Sequence, residues 1–271
     1  MRQRKIKNVE VKIDVFNEPL VYDPASNKGR WRDAFGADEN RPLYLEIGCG
    51  KGRFITASAL AHPASLYLGF EGHQSVLYRA LQRAYAGPDA TLTELDKIAM
   101  ALAGLCDGDC TQCGQRGIDD DCAAKGGREV SGDCAAYDGI LEPPDNLRLC
   151  AEYILDMRDF FAEGELNGIY LNFSDPWPKA RQEKRRLTSP RYLNGYLNVL
   201  TESGFLRFKT DNTDFFAYSR TSIEDHPGLE ITGITEDLHR SGYAEDNVMT
   251  EYERRYLNLQ RKINYLEAVK R

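Results

Sequence analysis

No stretch of this 271-residue chain approaches the roughly 18 to 20 uninterrupted apolar residues that a membrane-spanning helix requires, so a helical membrane protein is excluded. The first residues, Met1-Arg-Gln-Arg-Lys-Ile-Lys-Asn, lack the apolar run of a secretory leader. Cysteines number seven, an odd count, which with no leader argues against a disulfide framework and for a reducing cytoplasm. Basic residues are the minority, 35 against 42 acids for a net charge of −7, and at face value that balance argues against a nucleic-acid partner. No internal repeat is visible. What remains is 42% apolar and 28% charged, an ordinary soluble chain with material for one sizeable core or two small ones.

After residue 42 short strand-like runs alternate with longer amphipathic ones, the pattern of a parallel sheet with crossover helices. Strands are expected at Leu43 to Ile47, Ser65 to Phe70, Leu147 to Cys150, Gly168 to Phe173, Gly204 to Lys209, Leu229 to Ile234 and Asn264 to Val269. Helices are expected at Gly52 to Ala61, Gln74 to Ala84, briefly through Phe161, and at Pro190 to Leu200 and Asp214 to Glu224. The second carries Val76, Leu77, Ala80, Leu81 and Ala84 at helical spacing. This predicts an α/β fold with a seven-stranded, mostly parallel sheet and helices on both faces. Residues 1–40 form an N-terminal extension and 41–271 one domain, interrupted by an insert at about 88–145 with one helix at Leu92 to Leu105 and a Gly- and Asp-rich remainder.

The first strand ends in Glu46-Ile-Gly48-Cys-Gly50-Lys-Gly52 and runs straight into a helix. Glycines at such a turn let the backbone approach a ligand, and a helix N-terminus offers free N–H groups. A dinucleotide site would carry G-x-G-x-x-G, but its third glycine position falls on Arg53, which leads away from NAD. The second strand ends in Glu71, where a carboxylate can accept hydrogen bonds from both hydroxyls of a ribose. The pattern resembles the S-adenosylmethionine site of class I methyltransferases, a Rossmann-like fold. That resemblance implies cofactor contacts at Glu46, Gly48, Gly50 and Glu71.

The most specific stretch follows Ile169-Tyr-Leu: Asn172-Phe-Ser-Asp175-Pro176-Trp177-Pro178-Lys179, then Arg181, Lys184, Arg185, Arg186, Leu187 and Thr188. Ligands of a doubly wound sheet bind beyond the carboxyl ends of its strands, so Asp175 is expected to face the same crevice as Gly48. Two prolines stiffen the loop, and the tryptophan supplies a flat apolar face suited to a base or to excluding water. Residues 179 to 186 hold five basic side chains against one acid, a cluster suited to phosphate.

With Lys209-Thr-Asp211-Asn212 and Thr250-Glu251-Tyr252-Glu253 further on, the blocks resemble those of bacterial tRNA (guanine-N7-)-methyltransferases, in the same order from about residue 41 to the end, apart from the insert. The resemblance implies methyl transfer from S-adenosylmethionine to N7 of a guanine in the tRNA variable loop. It implies Asp175 as the catalytic carboxylate and a cofactor contact, and substrate contacts at Lys179, Asp211, Thr250, Glu251, Tyr252 and Glu253. RNA contacts are implied at Arg181, Lys184, Arg185 and Arg186. Where the family often has a polar residue touching the adenine, the spacing puts Tyr153, which joins the cofactor set by side chain or backbone. The protein is expected to act in the cytoplasm on tRNA, as a monomer or homodimer. The alternatives are a class I methyltransferase for a protein or small molecule, and a noncatalytic RNA-binding relative.

The insert holds Cys106, Cys110, Cys113, Cys122 and Cys134, spaced compatibly with a structural zinc or iron-sulfur site, or else is a loosely packed lobe with incidental thiols. Cys49 and Cys150 read as small buried residues. The insert also explains the acidity. Residues 88 to 145 contain 13 acids and four bases, which leaves the rest of the chain at a net +2. That rest is compatible with tRNA.

Overall fold

Leu43, Leu45 and Ile47 alternate with Tyr44 and Glu46, so one strand lines both faces of a sheet. The computed structural model describes residues 6, 9–91, 94–95 and 142–271. Its strands are β1 (Leu20–Val21), β2 (Leu43–Ile47), β3 (Leu66–Phe70), β4 (Leu147–Cys150), β5 (Leu166–Asn172), β6 (Leu200–Thr210), β7 (Leu229–Thr235) and β8 (Asn264–Lys270). The helices are α1 (Val9–Ile13), α2 (Arg53–Ala61), α3 (Gln74–Ala86), α4 (Pro190–Val199), α5 (Thr213–Glu224) and α6 (Glu251–Asn258).

The strands lie in the order β1-β4-β3-β2-β5-β6-β8-β7. All neighbours run parallel except β8, which is antiparallel to both β6 and β7. The chain builds outward from β2 through β3 to β4 and then returns to the other side of β2 as β5. Strand order therefore reverses between β2 and β5, and the crevice beyond their carboxyl ends is the expected ligand site.

One face of the sheet buries Leu43, Leu45, Leu66, Leu68, Ile169, Leu171, Leu206 and Phe208 against α4 and α5, through Leu193, Tyr196, Phe215 and Phe216. The other packs Tyr67, Leu147 and Leu149 against Ile55 and Ala59 of α2, Leu77 and Leu81 of α3, and Val9 of α1. Helices on both faces explain why the parallel strands read as nearly continuous apolar runs.

Seven strands were expected and eight are present among the described residues. The additional β1 is two residues long and pairs with β4, too short for its alternation to be read. The helix expected through Phe161 is a single 3-10 turn, Met157–Asp159, and α6 was not expected as a helix. The helix expected at Leu92 to Leu105 lies almost wholly outside the described residues. Of the residues before 41, Val9, Phe16, Leu20 and Trp31 pack into the cores on the sheet. Fully buried Trp31 donates its Nε1–H to the Phe160 carbonyl at 2.8 Å and stacks on Phe161 at 5.7 Å. Buried Glu165 fixes it there by accepting the backbone N–H groups of Gly29, Trp31 and Ala162.

Candidate active site

β2 leaves the sheet through Gly48, Gly50 and Gly52, with φ of 73°, 59° and 78°, a region that side-chain-bearing residues rarely adopt. Gly52 serves packing, since a Cβ there would lie 2.8 Å from the Cβ of Ala80 on α3. Around Gly48 and Gly50 no atom lies within 4 Å of a Cβ position, so the backbone itself is approachable. The Gly48 and Cys49 N–H groups donate to the Phe70 carbonyl at 2.8 and 3.0 Å, which fixes the loop on the end of β3. Glu71 completes the turn, accepting from the Gly50 N–H at 3.1 Å and the His73 N–H at 2.9 Å. Burial raises the Glu71 pKa against these two bonds, and the nearby charge of Asp175 adds to the rise.

Glu46, at 2% exposure, is the penultimate residue of β2. Its Oε1 accepts from Asn172 Nδ2 at 2.8 Å, while its buried Oε2 has no partner among the described residues. Burial pushes its pKa up to about 8, against the Asn172 bond and the Lys209 ammonium. Tyr153, beyond β4, is 63% exposed, and its ring lies flat on the backbone beside Glu71: a Cβ on Gly72 would come within 2.3 Å of it. The Tyr153 ring is thus packed on the chain next to Glu71.

β5 delivers the 173–178 loop to the same crevice. Asp175 is exposed there and close enough to act electrostatically on Glu71. Phe173 and Trp177, with φ of 54° and 43°, hold the left-handed region that costs a bulky residue about 1–3 kcal/mol. Surrounding contacts hold the loop in place. The Phe173 N–H donates to the Lys209 carbonyl, and its ring stacks on Tyr252 at 5.8 Å. Arg186 donates from Nε to the Pro176 carbonyl at 3.0 Å and from Nη2 to that of Trp177 at 3.2 Å, with its guanidinium 4.2 Å over the Tyr218 ring.

The other basic residues of this stretch are freer. Lys179, Arg181, Lys184 and Arg185 are exposed, Arg185 lying 5.0 Å over the Trp177 ring. Arg181 and Lys184 line a cleft of about 360 Å³ with Arg191 and Tyr218.

Burial raises the Tyr256 pKa, and Asp211, beyond β6, is near enough to raise it further and lies 3.7 Å from Arg261. Thr250 caps α6 in a reciprocal box, accepting from the Glu253 N–H while Glu253 accepts the Thr250 N–H. Glu253 is wholly buried. It also accepts from Asn247 Nδ2 at 2.9 Å and pairs with Lys209 at 3.1 Å, so both of its oxygens are committed within the protein. Lys209 is 3% exposed and lies 5.1 Å from the Phe54 ring; burial lowers its pKa against the opposing effect of Glu253. Tyr252 is exposed, whereas Glu251 turns toward the glycine loop, 3.3 Å from Lys51.

The structure thus brings Glu46, Gly48, Gly50, Glu71, Tyr153 and Asp175 to one crevice, with Asp211 and the 250–253 segment beside it. The sequence reading missed Asn172 and Lys209, which hold Glu46 and Glu253, and Lys51, Arg53, Arg83 and Asp89, which clasp the 249–254 segment. Asn172 and Lys209 lie inside the two informative blocks, which was the available signal; the clasp depends on contacts about 200 positions apart and left none. Cys106, Cys110, Cys113, Cys122 and Cys134 lie outside the described residues, so the structure says nothing of the metal site considered there. Among the described residues no three His, Cys, Asp or Glu side chains gather as metal ligands, no helix is long and apolar enough to cross a membrane, and Cys49 and Cys150 are buried free thiols.

Residues 40–98 and 133–266 match the family model Methyltransf_4, described as "Putative methyltransferase". The chain is 35% identical over 270 residues to the tRNA (guanine-N(7)-)-methyltransferase of Geobacillus kaustophilus (strain HTA426), covering 100% of this chain and 97% of that protein. It is 34% identical over 268 residues to the protein of the same name from Streptococcus sanguinis (strain SK36), with 99% of each covered. Among solved structures, the antibiotic-resistance methyltransferase Kmr matches at 14% identity and a TM-score of 0.47, with 93% of this chain and 95% of that chain covered.

Proposed function

The chain belongs to the tRNA (guanine-N(7)-)-methyltransferase family, and on that premise we propose that it methylates N7 of a guanine in the variable loop of tRNA, with S-adenosylmethionine as donor. The observation that carries this reading is the meeting, at the reversal of strand order, of an approachable glycine backbone, a buried carboxylate with one oxygen free and the Asp175 loop.

The residues present fit that cofactor. Glu46 Oε2, buried without a partner, suits the ammonium of the methionine moiety. The open backbone at Gly48 and Gly50 allows close approach, Glu71 suits the ribose hydroxyls, and the Tyr153 ring offers a face to the adenine. When bound, the cofactor supplies a methyl group activated on a sulfonium.

Guanine N7 carries an in-plane lone pair and no proton, so the attack needs no general base. The protein has to present the base in line at near-attack distance and exclude water. Asp175 is the catalytic carboxylate: it orients the base through its N1–H and exocyclic amine and stabilises the positive charge that develops on the imidazole ring. Trp177 and the stacked Phe173 and Tyr252 wall the pocket, with Lys179, Asp211 and Thr250 at its rim. N7 faces the deep, narrow major groove of folded RNA, so the nucleotide has to leave its stack to reach Asp175. Arg181, Lys184 and Arg185 contact phosphates. Glu253 and Arg186 act within the protein, one organising the 247–253 segment and the other the Asp175 loop.

Labelled-methyl transfer to unmodified tRNA followed by nucleoside analysis tests the reading. 7-Methylguanosine at a variable-loop position is expected; another methylated nucleoside, or none, overturns it.

A further inference from the structure

Lys51 and Arg53 flank Gly52 at the start of α2, where cations oppose the helix dipole and so call for partners elsewhere. Those partners lie on the 249–254 segment and next to it. Lys51 Nζ is 3.3 Å from Glu251 Oε1. Arg53, its side chain 10% exposed, donates from Nη1 to the Met249 carbonyl and from Nη2 to Asp89 at 2.8 Å. The same Asp89 oxygen takes Arg254 Nη1 at 2.8 Å. From α3, Arg83 approaches the other oxygen of Glu251 at 3.9 Å. Its side chain is only 5% exposed, and its Nε and Nη1 have no hydrogen-bond partner among the described residues. Buried guanidinium donors left in that state cost free energy that a closer carboxylate recovers. Bringing Glu251 from ion-pair distance to an ordinary hydrogen bond takes a shift of about 1 Å.

We propose that Lys51, Arg53 and Arg83, gathered on Glu251 and Met249, are positioning residues that join the glycine loop to the 250–253 segment, so that cofactor and tRNA each tighten the site for the other. Thr250 and Tyr252 flank Glu251, and Gly50 and Gly52 flank Lys51, so a ligand that orders one side orders the other through this clasp. Such coupling is reciprocal: the factor by which the cofactor tightens tRNA equals the factor by which tRNA tightens the cofactor. The inference rests on reading the glycine loop as the S-adenosylmethionine site and the 250–253 segment as a tRNA contact.

Its test measures the Kd of an unmodified tRNA transcript with and without saturating S-adenosylhomocysteine, which binds without reacting, and the converse Kd. The full chain is compared with Arg53→Met, Arg83→Met, Glu251→Gln and Glu251→Asp. The unaltered protein should show coupling of at least about fivefold in both directions. Arg53→Met, Arg83→Met and Glu251→Gln should bring it to within about twofold of unity while changing the S-adenosylhomocysteine Kd alone by less than about threefold. Glu251→Asp, which keeps the carboxylate, should retain part of the coupling, which a merely misfolded variant would not. A coupling factor of one in the unaltered protein, or an undiminished factor in Arg53→Met, Arg83→Met and Glu251→Gln alike, overturns the inference. Failure of the unaltered protein to bind S-adenosylhomocysteine or tRNA would instead overturn the reading of the site on which it rests.

Discussion

Asn172 Nδ2 donates to Glu46 Oε1 at 2.8 Å, joining residues 126 positions apart at the carboxyl ends of β5 and β2. These are the strands between which the sheet order reverses, so the bond spans the floor of the crevice. It orients the Glu46 carboxyl, whose buried Oε2 has no partner among the described residues. Lys209 acts on Glu46 by its charge and is itself held by Glu253, which links the floor to the cap of α6.

Glu46 should make stability and, on the proposed reading, cofactor binding pH-dependent. With its pKa pushed up to about 8 by burial, the folded protein holds a proton that the unfolded chain releases near pH 4.5. The folded state therefore binds more protons throughout that window, and the contribution of Glu46 to stability falls as pH rises from about 4.5 to about 8. An ammonium at Oε2 favours the ionised form, so the affinity for S-adenosylhomocysteine should rise with pH up to about 8 and then level off. Calorimetry at pH 7 in buffers of different ionisation enthalpy should show close to one proton released per ligand. Glu46→Gln should abolish the release and flatten this part of the stability profile.

Arg186 and its basic neighbours should separate kinetically. Arg186 holds the Pro176 and Trp177 carbonyls, and a small misplacement of the Asp175 loop is costly to catalysis. Arg186→Ala should lower kcat by about 10- to 100-fold with a modest change in the tRNA KM. Arg186→Lys should not rescue it, since an ammonium cannot reproduce the two-nitrogen fork. Arg181→Ala, Lys184→Ala and Arg185→Ala should chiefly raise KM, each lowering the salt slope of binding by about 0.7 to 0.9. Steady-state kinetics across a salt series distinguishes the two classes.

The strands were legible because parallel strands buried on both faces read as apolar runs, and β2 and β4 fall where expected, at Leu43–Ile47 and Leu147–Cys150. The glycine turn was legible because its chemistry is local. What escaped was tertiary. Arg186 has the same formal charge as Arg185, and only the fold turns one onto loop carbonyls while the other covers Trp177. Glu253 stands in a block read as substrate contact, yet its spacing from Thr250 is also that of a capping box, and burial commits it to that role. The Glu165 carboxylate that anchors Trp31 is 134 residues away from it, a distance no periodicity spans.

Breaking the Lys209 to Glu253 pair should destabilise the fold more than removing it. Both groups are almost wholly buried and 3.1 Å apart. Lys209→Met leaves a buried carboxylate, and Glu253→Gln a buried ammonium, each expected to cost about 3–5 kcal/mol. The double variant Lys209→Met with Glu253→Gln should recover part of that loss, because no unpaired charge remains. Urea denaturation of the four proteins measures the cycle; strictly additive losses would show that the pair does not act as a unit.

Asp175 should matter to the reaction far more than to the fold. It is exposed, and its environment is set by a loop that Arg186, Phe173 and Trp177 hold without using its carboxylate. Asp175→Asn keeps the shape, can still accept from guanine through its amide oxygen, and loses the charge; Asp175→Ala loses both. Stabilising the developing imidazolium requires charge, whereas orienting the base requires acceptors. If the electrostatic part dominates, the two variants should lose kcat to a similar extent, about 100- to 1000-fold. If orientation dominates, Asp175→Asn should retain most of the rate. In both cases the thermal midpoint should stay near that of the unaltered protein. Single-turnover methyl transfer at saturating tRNA makes the comparison, and full activity of Asp175→Ala would remove this residue from the mechanism.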